Sequence, residues 1–151
     1  MQIIINNKKA FFDYEILEKV EAGIVLMGWE VKSLKAGHAN ISSAYVKERN
    51  GELYLFSTRI PMWKTSANVE KGQEERERKL LLKKREIINI TAKSKQDRLT
   101  IVPLEIIKND RGVIKVIIAL VKGKRKYDKR QKIKERELSR RIENDRKTFN
   151  L

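Results

Sequence analysis

In AYVKERNGELYLF, residues 44–56, two runs of β-branched and aromatic residues flank Asn50-Gly51. That dipeptide accepts positive φ at both centres of a type I′ turn, so 44–49 and 52–56 read as an antiparallel hairpin. A longer hairpin is predicted from LTIVPLEIIKNDRGVIKVIIALV, where 99–107 and 113–121 surround Asn109-Asp110-Arg111-Gly112. Pro103 has no amide to give a ladder, which places it at an edge or a bulge. Upstream, 11–27 reads as two strands meeting at a turn over Glu21-Ala22-Gly23, with Ile24, Val25 and Leu26 as a buried run. The period then changes: Val31 and Leu34 share one side of a short helix over 28–37, Lys32 and Lys35 lie elsewhere, and Gly37 sits where a C-terminal cap belongs. Residues 61–79 read as a loop running into a helical turn. After Leu80-Leu81-Leu82 a second helix has Ile87, Ile88 and Ile90 on its apolar side and Lys83, Lys84 and Arg85 toward solvent. About six strands with short helices and no βαβ alternation predict a mainly β, antiparallel domain, and a closed or partly closed barrel would hide its edges.

The chain has 151 residues, 40% of them hydrophobic, enough for one domain with a real core. It contains no cysteine, which excludes disulfides, thiolate metal sites and thiol nucleophiles, and a reducing cytoplasm is the expected location. No apolar run has the ~20 residues of a membrane span, and the opening MQIIINNKK places apolar residues before basic ones, the reverse of a secretory signal. With 35 Lys plus Arg against 20 Asp plus Glu, the net charge is +15, and the pI of about 10.1 points to a polyanionic partner, nucleic acid first. The excess is uneven: residues 122–151 carry 13 Lys plus Arg and 5 Asp plus Glu. In that segment Ile133, Leu138, Ile142 and Phe149 are too sparse for a continuous apolar stripe. Glu137 with Arg141 and Glu143 with Lys147 have helix-supporting spacing worth only ~0.2–0.5 kcal/mol a pair. The segment is therefore expected to be disordered when free and helical on a charged partner, dividing the chain into a domain over 1–121 and a tail over 122–151.

Catalytic machinery is hard to find. The single histidine, His38, follows a helix end where a turn role is commoner than catalysis, and no GxxxxGK[ST], GxGxxG or HExxH occurs. Carboxylates are scattered among basic residues, so a metal-dependent nuclease has no constellation to rest on, and neither a cofactor nor a metal is expected. Binding has more: Lys32 with Lys35, the Lys83-Lys84-Arg85 cluster, and the 122–130 run with Lys122 and Lys124 are three basic patches for phosphates. Single-strand binders interleave rings with cations. Here Tyr45, Tyr54 and Phe56 fall in strand runs and are expected in the core, leaving Trp29, Trp63 and Tyr127 as free rings, with Trp29 either stacking or filling the barrel mouth. A folded RNA recognised by shape is the leading partner; a general single-strand or ribosomal RNA-binding protein is the alternative.

Asn7-Lys8-Lys9-Ala10, EAGIVLMGWEVKSLKAGHANIS (21–42), KLLLKKREI (79–87), and KGKRKYDKR (122–130) followed by IKERE (133–137) together resemble the SmpB family, the SsrA-binding proteins of bacterial trans-translation. The resemblance runs collinearly over nearly the whole chain. It implies a six-stranded antiparallel, oligonucleotide-binding (OB)-like β-barrel with three helices and a basic C-terminal tail, in a monomeric RNA-binding adaptor that is not an enzyme. The partners it implies are the tRNA-like domain of transfer-messenger RNA (tmRNA, SsrA RNA) and the 70S ribosome, at the 16S rRNA of the decoding centre and the message channel. It assigns Asn7, beside Lys8, with Glu21 and Leu81, to tmRNA binding. A carboxylate there can accept from base amino or ribose hydroxyl groups. It assigns Asp128, Lys129 and Arg130 to ribosome engagement, with the tail from Lys132 through Lys134 and Arg136 lying as a helix along the vacant message path. Two departures stand out: Lys83 occupies a position where many relatives have histidine or another polar residue, and TFNL (148–151) does not align with the family's tail ends.

Overall fold

Both predicted hairpins form. The computed structural model describes residues 1–62 and 73–123. Its elements are β1 (Gln2–Asn6), α1 (Lys8–Asp13), β2 (Tyr14–Ile24), α2 (Gly28–Lys35), β3 (Tyr45–Arg49), β4 (Glu52–Phe56), a 3-10 turn (Gln73–Glu75), β5 (Arg78–Leu81), α3 (Lys84–Gln96), β6 (Thr100–Lys108) and β7 (Ile114–Gly123). Asn50 and Gly51 take φ of 54° and 79°, as a type I′ turn requires. Pro103 sits where the register of β6 against β7 slips, between Pro103 and Glu105, so the missing amide is absorbed by a bulge.

Among the described residues the sheet is antiparallel and has seven strands rather than six, ordered β1-β6-β3-β4-β5-β2-β7, with β6 also paired to β7. Strand β6 therefore has three partners: β7 along most of its length, β1 at 105–108 and β3 at Ile101. Strand β1 was not foreseen, because a short Ile run beside two asparagines becomes a strand only through the neighbour it finds. Strand β5 replaces the end of the loop expected over 61–79 and the start of the apolar run at 80–82, because β4 and β2 supply its partners. A larger correction concerns 11–27. Residues 11–13 complete α1, and Glu21-Ala22-Gly23 is no turn: β2 runs unbroken through it, with Gly23 paired to Lys115 on one side and Leu81 on the other. Alternation then splits the supposed buried run, leaving Val25 exposed and Ile24 and Leu26 half-buried.

The main core gathers inward residues of all seven strands with Leu34 of α2 and Ile87 and Ile90 of α3. Ile88, expected beside them, is exposed. A smaller cluster of Ala10, Val102, Leu104, Ala119 and Val121 seats α1 on β6 and β7. Helix α2 ends as predicted: Gly37 at φ 79° donates to the Leu34 carbonyl (2.9 Å) and the His38 amide to the Ser33 carbonyl (3.0 Å), the paired bonds of a Schellman cap. His38 thus serves through its backbone. Among the described residues no helix is long and apolar enough to cross a membrane. Trp63, Tyr127 and the tail beyond Gly123 lie outside the described residues; Lys122 and Gly123, expected in the tail, end β7.

Candidate nucleic-acid interface

Gly23 and Leu81 are register partners where β2 meets β5, and a Cβ on Gly23 would lie 3.1 Å from the Leu81 Cβ. A methyl there would crowd the Leu81 side chain, which would have to give by a few tenths of an ångström. Glu21 precedes Gly23 by two residues and so projects from the same outer face, exposed. Leu81 is 52% exposed, which removes the core as its explanation. Val25 and Met27, also exposed, continue the surface. Its rim is basic: Lys83, Lys84 and Arg85, all exposed, follow Leu81 directly at the start of α3. The arrangement brings together Glu21, Leu81 and the Lys83–Arg85 cluster, an acidic and apolar centre bordered by cations. Carboxylate and leucine suit base edges and ribose, and the cations suit phosphates.

A buried ionic cluster ties α2 to this surface. The Glu30 carboxylate accepts from the Met27 amide (2.8 Å), from Arg76 and from the Nε of Arg78. Glu30 and Arg78 are both fully buried. Arg78 also donates to the carbonyls of Thr58 (2.7 Å), Arg76 (3.0 Å) and Glu74 (3.0 Å). Burial pulls the Arg78 guanidinium below its ordinary pKa, and the hydrogen bond to Glu30 opposes that pull. Helix α2 presents Lys32 and Lys35 exposed from this anchored base. The composition of the cluster was visible in the sequence, but nothing in the spacing of residues 30, 76 and 78 announced that they meet.

Asn7, Lys8 and Lys122 belong elsewhere. Asn7 is buried at 3% exposure, and its side chain is occupied: Nδ2 donates to the carbonyls of Ile41 (3.1 Å) and Pro103 (2.8 Å), and Oδ1 accepts from the Ala10 amide (3.1 Å). It braces α1, the turn before β3 and the β6 bulge. Lys8 is exposed on α1, and Lys122 pairs with Glu15 near the start of β2, roughly 20 Å along the strand from Glu21. The aromatic expectation needs correcting too. Tyr45, Tyr54 and Phe56 are half-buried on the outer face of β3 and β4: Tyr45 stacks on Phe56 (5.5 Å), Lys47 lies over Tyr45 (5.4 Å) and Arg49 over Tyr54 (4.3 Å). Strict alternation with Val46, Leu53 and Leu55 carried that signal. Trp29 is half-buried and packed against the core. Lys124, Asp128, Lys129, Arg130, Lys132, Lys134 and Arg136 lie outside the described residues. No group of three or more His, Cys, Asp or Glu among the described residues could hold a metal ion.

A family model described as SmpB protein matches residues 4–148. The SsrA-binding protein of Thermosipho melanesiensis is 49% identical over 142 residues, covering 94% of this chain and 96% of the relative. That of a Wolbachia subspecies of Brugia malayi is 51% identical over 140 residues, covering 93% of each. A solved chain from work on tmRNA-SmpB and the bacterial ribosome superimposes with a TM-score of 0.68 at 40% identity, covering 85% of this chain and 93% of that one.

Proposed function

From the premise that the chain belongs to the SmpB family, we propose that it is a non-enzymatic RNA-binding adaptor of the cytoplasm. It binds the tRNA-like domain of tmRNA and delivers it to stalled ribosomes for trans-translation, so that the nascent peptide is tagged and the ribosome freed. Its partners are tmRNA and the 70S ribosome, and it acts as a monomer. The circuit of pairings β2-β7-β6-β3-β4-β5 is read as a six-stranded OB-like barrel, with β1 laid on β6 as a seventh strand.

The observation that carries the tmRNA reading is Leu81. A leucine held exposed against a glycine, beside an exposed carboxylate and ahead of three cations, has no packing purpose. Glu21, Leu81, Lys83, Lys84 and Arg85 form the contact surface, and Lys32 and Lys35 add phosphate contacts from α2. Asn7 acts on RNA binding through the segments it braces, since its amide is spent on protein; Lys8, Lys122 and Lys124 give peripheral charge. Asp128, Lys129 and Arg130, with Lys132, Lys134 and Arg136, engage the decoding centre and message path. The domain, expected over 1–121 and extended by β7 to Gly123, recognises; the rest of the 122–151 tail, disordered until it docks as a helix, licenses.

A gel-shift comparing the tmRNA tRNA-like domain, an ordinary tRNA and an unstructured oligomer at two salt concentrations tests this. Tightest binding to the tRNA-like domain at both is expected. Equal binding of the oligomer at matched salt overturns the proposal.

A further inference from the structure

We infer that Arg76 is a positioning residue for the RNA-binding surface: it holds the turn between β2 and α2 that displays Val25 and Met27 beside Leu81. This rests on the tmRNA reading and says how that surface keeps its shape. Val25 and Met27 are 47% and 43% exposed, so core packing does not fix them. Their backbone is fixed instead. The Val25 amide donates to the Lys79 carbonyl of β5 (3.0 Å), and the Met27 amide donates to the Glu30 carboxylate (2.8 Å). Between these two ties the Val25 carbonyl accepts from Nη2 of Arg76 (3.4 Å), and the same Nη2 donates to Glu30. Nη1 donates to the Glu77 carbonyl (3.3 Å), just ahead of β5. One guanidinium thus joins the end of β2, the base of α2 and the entry to β5.

The two arginines that meet Glu30 have different tasks. Arg78 is fully buried, and it spends its donors on Glu30 and on the carbonyls of Thr58, Arg76 and Glu74, which serves the fold. Arg76 is 24% exposed, and without it Glu30 still has Arg78 as counter-charge. What would be lost is the grip on Val25. Arg76 is also poorly placed to touch RNA itself, because its Nε is buried and both of its Nη groups donate to protein oxygens. Its effect on binding is preorganisation: a turn fixed beforehand loses no freedom when the RNA docks.

Arg76→Met tests this in the full chain, with affinity for the tRNA-like domain measured over a range of salt. Methionine keeps an unbranched stem and Glu30 keeps Arg78, so the fold is retained. Arg76→Lys, whose single ammonium cannot serve Glu30 and Val25 together, is measured beside it. Arg76→Met is expected to weaken binding about tenfold, the cost of ordering two side chains at docking, and Arg76→Lys to weaken it in the same direction. The slope of log affinity against log salt should stay that of the unaltered chain, whereas Lys84→Ala, which removes a phosphate contact, should lower it by about 0.7–0.9. Arg76→Met combined with Val25→Ala should cost less than the product of the two single losses, because both act through one turn. Unchanged affinity in either folded Arg76 variant, a slope lowered as by Lys84→Ala, or losses that simply multiply overturns the positioning role. An unaltered chain that fails to prefer the tRNA-like domain over an unstructured oligomer at matched salt overturns the tmRNA reading instead.

Discussion

Lys84 and Arg85 occupy the first turn of α3, where the helix dipole disfavours cations by a few tenths of a kcal/mol each. Folding does not explain them. Lys32 and Lys35 sit in the last turn of α2, where the dipole favours them, so their phosphate contacts come at no cost to the helix. Leu81 sharpens the same distinction. Leu81→Ala should cost less than ~1 kcal/mol of stability because the side chain is exposed, whereas Leu53→Ala, fully buried, should cost ~2–5 kcal/mol. Paired denaturation and gel-shift measurements should find Leu81→Ala folded but weakened toward the tRNA-like domain. Gly23→Ala should weaken it too, since the new methyl forces Leu81 aside. At this scale the sequence was legible where a motif carried the residue, as with Glu21 and Leu81. It was silent where burial decides: Asn7 looked like a contact and is a brace, because no local pattern reveals which carbonyls an amide will find.

The hairpins and α2 were legible because their signals are local, Asn-Gly at the turn and glycine at the cap. The misread elements are those that distant partners define. Glu21-Ala22-Gly23 resembles a turn until β7 and β5 claim both its edges, and β1 exists only through β6. Helix α2 depends on such a partner as well. Glu30→Ala leaves Arg78 buried and unpaired, and the expected loss is ~3–5 kcal/mol by chemical denaturation. Replacing Glu30 and Arg78 together by apolar residues should recover much of it. A double variant as unstable as the single one would mean the carbonyl bonds of Arg78, rather than its charge pair, hold the segment.

Over the whole molecule, the number of phosphates neutralised sets the salt dependence: binding of the tRNA-like domain should fall linearly in log-log form with salt, with a slope proportional to the contacts made. Ending the chain after Gly123 should leave that slope and tRNA-like domain binding largely unchanged, yet abolish peptide tagging on stalled ribosomes. Tagging by the shortened chain would refute the division of labour. Acid behaviour is milder. The hydrogen bond from Arg49 holds the Glu77 carboxyl below its ordinary pKa, so its stabilisation is present above the unfolded value and lost as pH falls through the folded one. Both groups are exposed, so a melting comparison with Glu77→Gln should show a small difference that shrinks on acidification and in high salt. The pairing of β2 with β7, from Gly23↔Lys115 to Tyr14↔Gly123, has a temporal consequence. During its own synthesis the chain must hold β2 without its main partner until β7 has emerged. Assembly is thus nearly all-or-none and late, and a nascent chain cut short before β7 is left with bare edges that invite aggregation.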